Sequence, residues 1–396
     1  MESRVSIVRD SDIERRVLEA VRLLGGVERV VGKGDRVLIK PNMVGGFPPE
    51  TGETTHPEVV KTLVELAYEA GAKEVLVGDG VPEVPVDTVR RRFVRRPVPP
   101  ISGTLHGLYR KKIEKAGGKL IDLDRWTEVE VPNPVRYEKV RVARAILDCD
   151  VLIGAPTLKT HHLVGITVAL KNLYGAIPPK DRRLYHDLDG VEEVIVDINQ
   201  VRTSDMVVVD GTYTTLHWGM IDQYMERSRL DLTIAGYDPV AVDSVSAKLL
   251  GIDPKTLRFL SWAEERGLGK MDQRLIETVG VPVGDVHPEG VMTVIDYMNK
   301  RLSRIRLVSC GACTGCFGRV ATSLFRRDDS QMRDDVYIVM GPDAKPIESA
   351  KKENVILCGN CAAPTFYNRL KGAFIPGCPP NLDILIERLK EMNLKV

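Results

Sequence analysis

Six of the seven cysteines in this 396-residue chain lie between residues 310 and 378, and their spacing constrains the fold more than any other feature. Three form a Cys-x2-Cys-x2-Cys run, two form a Cys-x2-Cys pair, and the last is followed by two prolines. In chain order they are Cys310, Cys313, Cys316, Cys358, Cys361 and Cys378. Two intervening residues allow neighbouring thiolates to converge on one metal centre. We therefore expect three separate segments to meet around a single site.

The spacing favours an iron–sulfur cluster, most simply one 4Fe-4S cubane. Bacterial-type cubanes combine a triple cysteine run with a cysteine followed by proline, and Cys378 is remote but has that proline. The preferred ligands are Cys310, Cys313, Cys316 and Cys378. An equally simple arrangement uses Cys358 and Cys361 as ligands. The alternatives are a structural zinc site made from two Cys-x2-Cys pairs, and disulfides or free thiols. The remaining cysteine, Cys149, precedes a buried strand and is typical of a core residue.

Composition restricts the compartment and the partners. The formal net charge is +1, which gives no general attraction to nucleic acid or to an anionic membrane. The arginine-rich stretch 90–96 is a local exception, read as a solvated loop or as an anion or partner-protein contact. The first residues lack an apolar signal segment and the apolar runs are too short to span a bilayer, so we expect a cytoplasmic protein with reduced thiols. The abundance of Glu, Lys, Arg and Pro is typical of thermophiles.

Helical and strand-like patterns alternate before the cysteines. Residues 10–24, which Ser11 is suited to cap, and 56–70 have helical spacing, whereas 36–40 and 74–78 are short apolar runs. Further strands are predicted at 151–154 and 206–210, and further helices at 104–117, 191–199 and 238–250. This alternation predicts the α/β class, with a mostly parallel sheet covered by helices. We place a boundary near residue 305, giving an α/β domain over 1–305, open to division into two subdomains, and a cysteine-rich domain over 306–396.

Polar residues follow several of the predicted strands, where parallel sheets bind ligands. Lys40 and Asn42 follow the first, and Asp79 follows the next. Thr55 and His56 lie at the N-terminus of the predicted helix 56–70, where free backbone amides favour an anion. For the threonine an ordinary capping role, and for the aspartate a turn role, are the structural alternatives.

The densest polar cluster surrounds an apolar segment over residues 156–175, whose pattern before Lys171 and Asn172 predicts a helix. It contains Lys159, His161, His162, Lys171 and Asn172, and His186 follows in a polar loop. Lysines that bind a carboxylate or phosphate, with histidine for proton transfer, would form an anionic-substrate pocket. Surface lysines with structural histidines are the alternative. Asp243 falls inside a predicted helix, so we expect it to face a polar site or to pair with a base.

Together these motifs resemble the family called domain of unknown function 362. The resemblance lies in Lys40-Pro-Asn42, Thr55-His56-Pro57, Gly78-Asp79-Gly80, Lys159-Thr-His161, Leu170-Lys-Asn-Leu-Tyr-Gly175, His186 and Asp238-Pro-Val-Ala-Val-Asp243, within residues 35–270. It implies an iron–sulfur module. Many relatives carry two Cys-x2-Cys-x2-Cys-x3-Cys-Pro runs, whereas this chain has one triple run and a remote Cys-Pro. The resemblance implies no substrate.

Three functions stay open on the sequence. The first is an iron–sulfur oxidoreductase that binds a small anionic substrate, with His161, His56 and Lys171 as catalytic candidates. Its substrate-binding candidates are Lys40, Asn42, Thr55, Asp79, Lys159, Asn172, His186 and Asp243. The second is a redox-neutral lyase or isomerase whose cluster binds substrate, and the third is a non-catalytic electron-transfer or zinc protein. A redox partner protein and a homo-oligomer are both possible partners. We expect no nucleic-acid or membrane partner, and the sequence has no nucleotide-binding motif that would indicate a nucleotide cofactor.

Overall fold

The computed structural model describes residues 3–43, 48–80, 104–187, 190–215, 227–286, 288, 293–325, 327–344, 347, 349–362 and 373–394. Its strands are β1 Ser3–Arg9, β2 Arg36–Pro41, β3 Glu74–Asp79, β4 Lys119–Asp122, β5 Trp126–Glu130, β6 Lys139–Ala143, β7 Val151–Ala155, β8 Lys159–His161, β9 Gly165–Thr167, β10 Met206–Thr215, β11 Arg227–Gly236, β12 Ile276–Gly280, β13 Ile305–Ser309, β14 Val336–Met340, β15 Val355–Cys358 and β16 Ala373–Ile375. The arginine-rich stretch 90–96 lies outside the described residues.

The helices, numbered within the described residues, mostly follow the strands that they cover. They are α1 Ile13–Leu23, α2 Pro57–Glu69, α3 Thr104–Lys115, α4 Arg144–Asp148, α5 Ala169–Asn172, α6 Pro179–Asp187, α7 Val191–Val201, α8 Pro239–Leu249, α9 Arg258–Glu265, α10 Val294–Arg301, α11 Thr314–Leu324 and α12 Leu382–Glu391. None of these helices has the length and apolar content that a membrane span requires.

The larger sheet has eight strands in the order β12-β1-β11-β10-β7-β2-β3-β4. Pairs from β10 to β4 are parallel, as is β1 with β12, whereas β11 is antiparallel to both of its neighbours. In β2, Leu38 packs into one hydrophobic core while Val37 and Ile39 pack into another. Burial on both faces explains why this strand is continuously apolar. The predicted α/β class with a mostly parallel sheet is confirmed.

A second sheet consists of four parallel strands in the order β13-β14-β15-β16. Its first strand begins at Ile305, next to the predicted domain boundary, which stays a prediction because helix α10 before it packs against the same strand. Helices α11 and α12 also belong to this part of the chain. The six clustered cysteines lie in or beside these elements.

Two local predictions differ from the structure. Asp12, not Ser11, caps α1, because its side chain accepts the backbone amide of Arg15 at 3.0 Å. The apolar run before Lys171 is not one helix. It forms the β8–β9 hairpin and the short helix α5, and Gly165 supplies the positive φ of 81° that the hairpin requires.

Candidate functional site

The site lies where the strand order reverses. From β2 the chain proceeds outward through β3 and β4, and then returns to the other side of β2 as β7. Ligands of open α/β sheets bind at the carboxyl ends of the strands at such a point. Lys40 and Asp79 stand at the carboxyl ends of β2 and β3, and Lys159 follows β7. The topology therefore gathers the predicted polar residues at one edge.

Lys40 is the buried centre of a polar network at this edge. Its Nζ donates to Asp79 Oδ1 at 2.6 Å and to Asn172 Oδ1 at 3.1 Å. Asn172 in turn donates from Nδ2 to the Lys40 carbonyl at 2.7 Å, and Asp79 Oδ2 accepts the Met43 amide at 2.7 Å. Every charge in the network is thus paired. The network fixes the end of α5 against the end of β2.

The β8–β9 hairpin presents Lys159 and His161 on one face. Lys159 pairs with Thr167 and His161 pairs with Gly165 in the antiparallel register, and side chains two residues apart point the same way. The Lys159 ammonium is buried and donates to Glu53 Oε2 at 2.6 Å. The hairpin therefore places a paired lysine beside a histidine and the Thr167 hydroxyl.

His161 has a defined tautomer. Its Nδ1 accepts the backbone amides of Leu163 at 3.2 Å and Val164 at 3.4 Å. Because Nδ1 accepts, the proton of the neutral ring is on Nε2, at the opposite edge. Burial first, and then Lys171 and the neighbouring histidines, hold the pKa of His161 well below its usual value. The half-buried ring is thus a neutral hydrogen-bond donor near pH 7.

Lys171 differs from the other two lysines. Its side chain is half-buried, and within the described residues its Nζ has no hydrogen-bond acceptor and no carboxylate partner. The ammonium lies 5.2 Å from the centre of the Tyr174 ring. Burial, together with the nearby cations Lys159, Arg182 and Lys40, lowers the pKa of Lys171 to about 7. Near neutrality this amine can accept or donate a proton.

Other predicted residues line or support the crevice. Asn42 and Thr55 are both buried, and the backbone amide of Asn42 donates to Thr55 Oγ1 at 2.9 Å. His56 caps α2 by accepting the Glu58 amide on Nδ1 at 3.2 Å. His186 is exposed, with its ring centre 5.9 Å from that of Tyr174. His162 stacks on His161 with ring centres 4.6 Å apart.

Asp243 pairs with backbone amides. From the buried interior of α8 its two oxygens accept the Ala169 amide at 2.6 Å and the Leu170 amide at 3.0 Å. Those amides open α5, the short helix that carries Lys171 and Asn172. Burial raises the pKa of Asp243 to about 7, although the two amides oppose the shift. The carboxyl group of Asp243 therefore holds the start of α5 in position.

We expect Asp243→Ala to lower the free energy of unfolding by about 3 kcal/mol, because two buried amides lose their acceptor. Asp243→Asn retains one acceptor oxygen and should cost less, about 2 kcal/mol. Denaturant titration measures both values. Glu387→Ala, at an exposed position of α12, is the control and should change the free energy by less than about 0.5 kcal/mol. Equal effects of the two alanine variants would contradict the proposed positioning role.

The cysteine segments come together beside α11. Cys313 and Cys316 are hydrogen-bonded, and this bond lowers the pKa of Cys313 to about 6. The same bond and burial, followed by the charges of Cys358 and Cys361, raise the pKa of Cys316. Burial followed by the charges of Cys378 and Cys313 raises the pKa of Cys361. These interactions link Cys316 with Cys313, Cys358 and Cys361, and Cys361 with Cys313 and Cys378, whereas Cys310 packs against the small apolar core beside β14 and β15.

Across the described ranges, no group of three or more His, Cys, Asp or Glu side chains is arranged to hold a metal ion. A single ion requires its ligands to touch one atom. A cubane bonds each cysteine to a different iron, so its thiolates need only surround a common volume. The neighbouring cysteines, with the amides of Gly315 and Cys316 bonded to Cys313, are chemically suited to such a cluster.

The cysteine helix packs directly on the histidine hairpin. A Cβ added at Gly318 of α11 would lie 2.5 Å from the Leu163 carbonyl oxygen and 2.9 Å from that of His162. At the start of the same helix, the Thr314 hydroxyl donates to buried Glu192 of α7. Burial raises the pKa of Glu192 to about 7, with Arg258 opposing the shift. The helix that carries Cys316 and the hairpin that carries Lys159 and His161 are therefore in direct contact.

Three members of this region, Glu53, Arg182 and Glu192, were not predicted from the sequence. Glu53 precedes a recognised motif, and Arg182 lies in the polar stretch before His186, so position along the chain offered a weak signal for both. Glu192 had no such signal, because its partners Thr314 and Arg258 are distant in sequence.

The chain is similar to known proteins in sequence and in fold. Residues 37–248 match the family described as Domain of unknown function (DUF362). The thylakoid-associated protein sll1697 of Synechocystis sp. is 29% identical over 250 residues, covering 62% of this chain and 72% of that protein. The lactate racemase apoprotein from Thermoanaerobacterium thermosaccharolyticum aligns with a TM-score of 0.37 at 10% identity, over 85% of this chain and 68% of that structure.

Proposed function

We propose that this chain, which belongs to the family described as Domain of unknown function (DUF362), is an iron–sulfur oxidoreductase acting on a small anionic substrate. The family's description names no reaction. One observation carries the proposal. Helix α11, which carries Cys316 and begins just after Cys313, packs on the hairpin that bears Lys159 and His161. An electron carrier alone would not need the cationic crevice, and a substrate-binding fold alone would not need the cysteines.

The cysteine contacts favour a ligand set of Cys313, Cys316, Cys358 and Cys361. Each of the first two interacts with at least one member of the later pair. Cys378 is a neighbour of Cys361 and is the reserve ligand. A bound cluster would supply single electrons to chemistry in the crevice. Bonding to the Gly315 and Cys316 amides would stabilise the Cys313 thiolate as a ligand.

The chain's own residues perform the binding and proton steps. Lys40 and Lys159 are fixed in place by Asp79 and Glu53, and Lys171, which has no carboxylate partner among the described residues, supplies the cation that attracts an anion. His161 donates a hydrogen bond from Nε2, and Lys171 exchanges a proton near neutral pH. The half-buried position of both groups leaves them accessible to a small molecule.

The proposal predicts that anaerobically purified protein contains iron and acid-labile sulfide in similar amounts. It should also show broad visible absorbance that is bleached by dithionite. Metal analysis and absorption spectroscopy on the full chain measure these properties, with a chelator-treated sample as the control. Protein that contains zinc and no iron would overturn the redox function and leave a structural zinc site.

A redox-neutral lyase or isomerase is the second candidate function. It is favoured by the pairing of a near-neutral amine at Lys171 with a neutral donor at His161, which suits proton transfer at carbon without electron transfer. In this case the cluster would act as a Lewis acid. Turnover that proceeds unchanged whether the cluster is held oxidised or reduced would favour this candidate over the first.

A further inference from the structure

We propose that Lys171 forms an imine with the carbonyl group of a small 2-oxo acid bound in the crevice. The inference rests on the proposed function of the same site and names its substrate class. Its test reads covalent bond formation at one lysine, so it can fail while the iron–sulfur proposal stands.

The first support is the availability of the amine. Lys40 donates to Asp79, and Lys159 donates to Glu53, so neither nitrogen is free to attack a carbonyl. Lys171 has no acceptor or carboxylate partner among the described residues, and it is half-buried beside the Tyr174 ring. Placing a lysine next to other cations in an apolar pocket is an established way to make its amine nucleophilic. The pKa of about 7 agrees with this geometry.

The second support is the charge around that amine. The amine of Lys171 has three other cationic side chains near it, Lys40, Lys159 and Arg182. The carboxylates in the same group are Glu53 and Asp79. Because Lys40 and Lys159 are each paired with one carboxylate, the protonated imine that Lys171 would form is a positive charge in excess of these acids. A carboxylate next to the reacting carbonyl would offset this excess. A 2-oxo acid carries both groups on adjacent carbons.

The chemistry is balanced without any further reactant. The lone pair of neutral Lys171 Nζ forms a bond to the carbonyl carbon, and the C=O π electrons move to oxygen. The resulting carbinolamine then loses its hydroxyl group as water, and both amine hydrogens leave with that oxygen. His161, which carries its proton on Nε2, lies close enough to interact with Lys171 and is suited to assist departure of the hydroxyl.

The test is reductive trapping on the full chain. The protein is incubated at pH 7 with pyruvate and sodium cyanoborohydride, and labelled lysines are found by peptide mass spectrometry. At pH 7 the fraction of neutral amine at Lys171 is on the order of a thousandfold above that of an ordinary lysine. After allowance for its weaker basicity, we expect about tenfold more label on Lys171 than on any other lysine.

Two variants and a second probe determine the outcome. Lys171→Arg keeps the charge and should abolish the dominant label, whereas Lys61→Arg, at a surface lysine held by three glutamates, should leave it unchanged. Label spread evenly over many lysines, or unchanged label in Lys171→Arg, would overturn the imine. Acetone is also a methyl ketone but lacks the carboxylate, and it should label Lys171 about tenfold less than pyruvate. Equal labelling by both probes would overturn the 2-oxo acid as the substrate class.

Discussion

Cys316→Ser should lower the iron content of anaerobically purified protein on the order of tenfold, while Cys310→Ser should leave it nearly unchanged. Cys316 is buried and interacts with Cys313, Cys358 and Cys361. Cys310 packs instead against apolar side chains beside β14 and β15. The preferred ligand set from the sequence included both residues, so this comparison separates that set from the one that the contacts favour.

Iron and sulfide per chain, measured together with circular dichroism, are the appropriate readouts. Cys149→Ser is the matched control, since Cys149 is a buried cysteine far from the cluster segments in sequence. Circular dichroism separates loss of ligation from loss of folding. Iron lost in Cys310→Ser and kept in Cys361→Ser would reject the ligand set built on the later pair.

Replacing two lysines of the crevice by methionine should change stability in opposite directions. Lys40→Met removes the partner of Asp79 inside a buried network, and we expect the free energy of unfolding to fall by about 3 to 5 kcal/mol. Lys171→Met removes a half-buried cation that lies among other cations, and we expect a gain of about 4 kcal/mol at pH 6 together with loss of activity, because the pKa shift from about 10.4 to about 7 corresponds to that energy. Such a gain would identify a residue kept for function.

The gain in Lys171→Met should depend on pH. The unfolded chain binds the lysine proton up to its ordinary pKa near 10.4, whereas the folded protein releases it near 7. Between these values the wild-type protein becomes more stable relative to the variant as pH rises. The difference should therefore be full at pH 6 and vanish near pH 10. Urea titrations at both values measure it, and a difference that is constant with pH would contradict the shifted pKa.

The sequence predicted the residues of the crevice better than their roles. Lys40 and Asp79 were predicted at strand ends and lie at one edge of the sheet, because the carboxyl ends of parallel strands share an edge. Roles depend on partners far along the chain. Asp243 was expected near a polar site or a base, yet it accepts amides 73 and 74 residues away. No pattern in either segment shows that pairing.

The same limit applies to the cysteines. Spacing alone could not choose among ligand sets, because it fixes which thiols are adjacent in a turn and not how separate segments dock. Docking here depends on α11 packing against the β8–β9 hairpin and on the parallel order of the second sheet. Glu192 was missed for this reason, since its role is defined only when α7 meets Thr314.

The close approach at Gly318 restricts how this protein can be rebuilt from parts. Because a single methyl group there would collide with two carbonyl oxygens, α11 can pack on the β8–β9 hairpin only when residue 318 has no side chain. A hybrid chain that joined the α/β part of this protein to a cysteine-rich segment from another protein would need a glycine at the position that faces the β8–β9 loop. Engineering of hybrid chains should therefore treat this point of contact as fixed, and place any variation on the surfaces that point away from it.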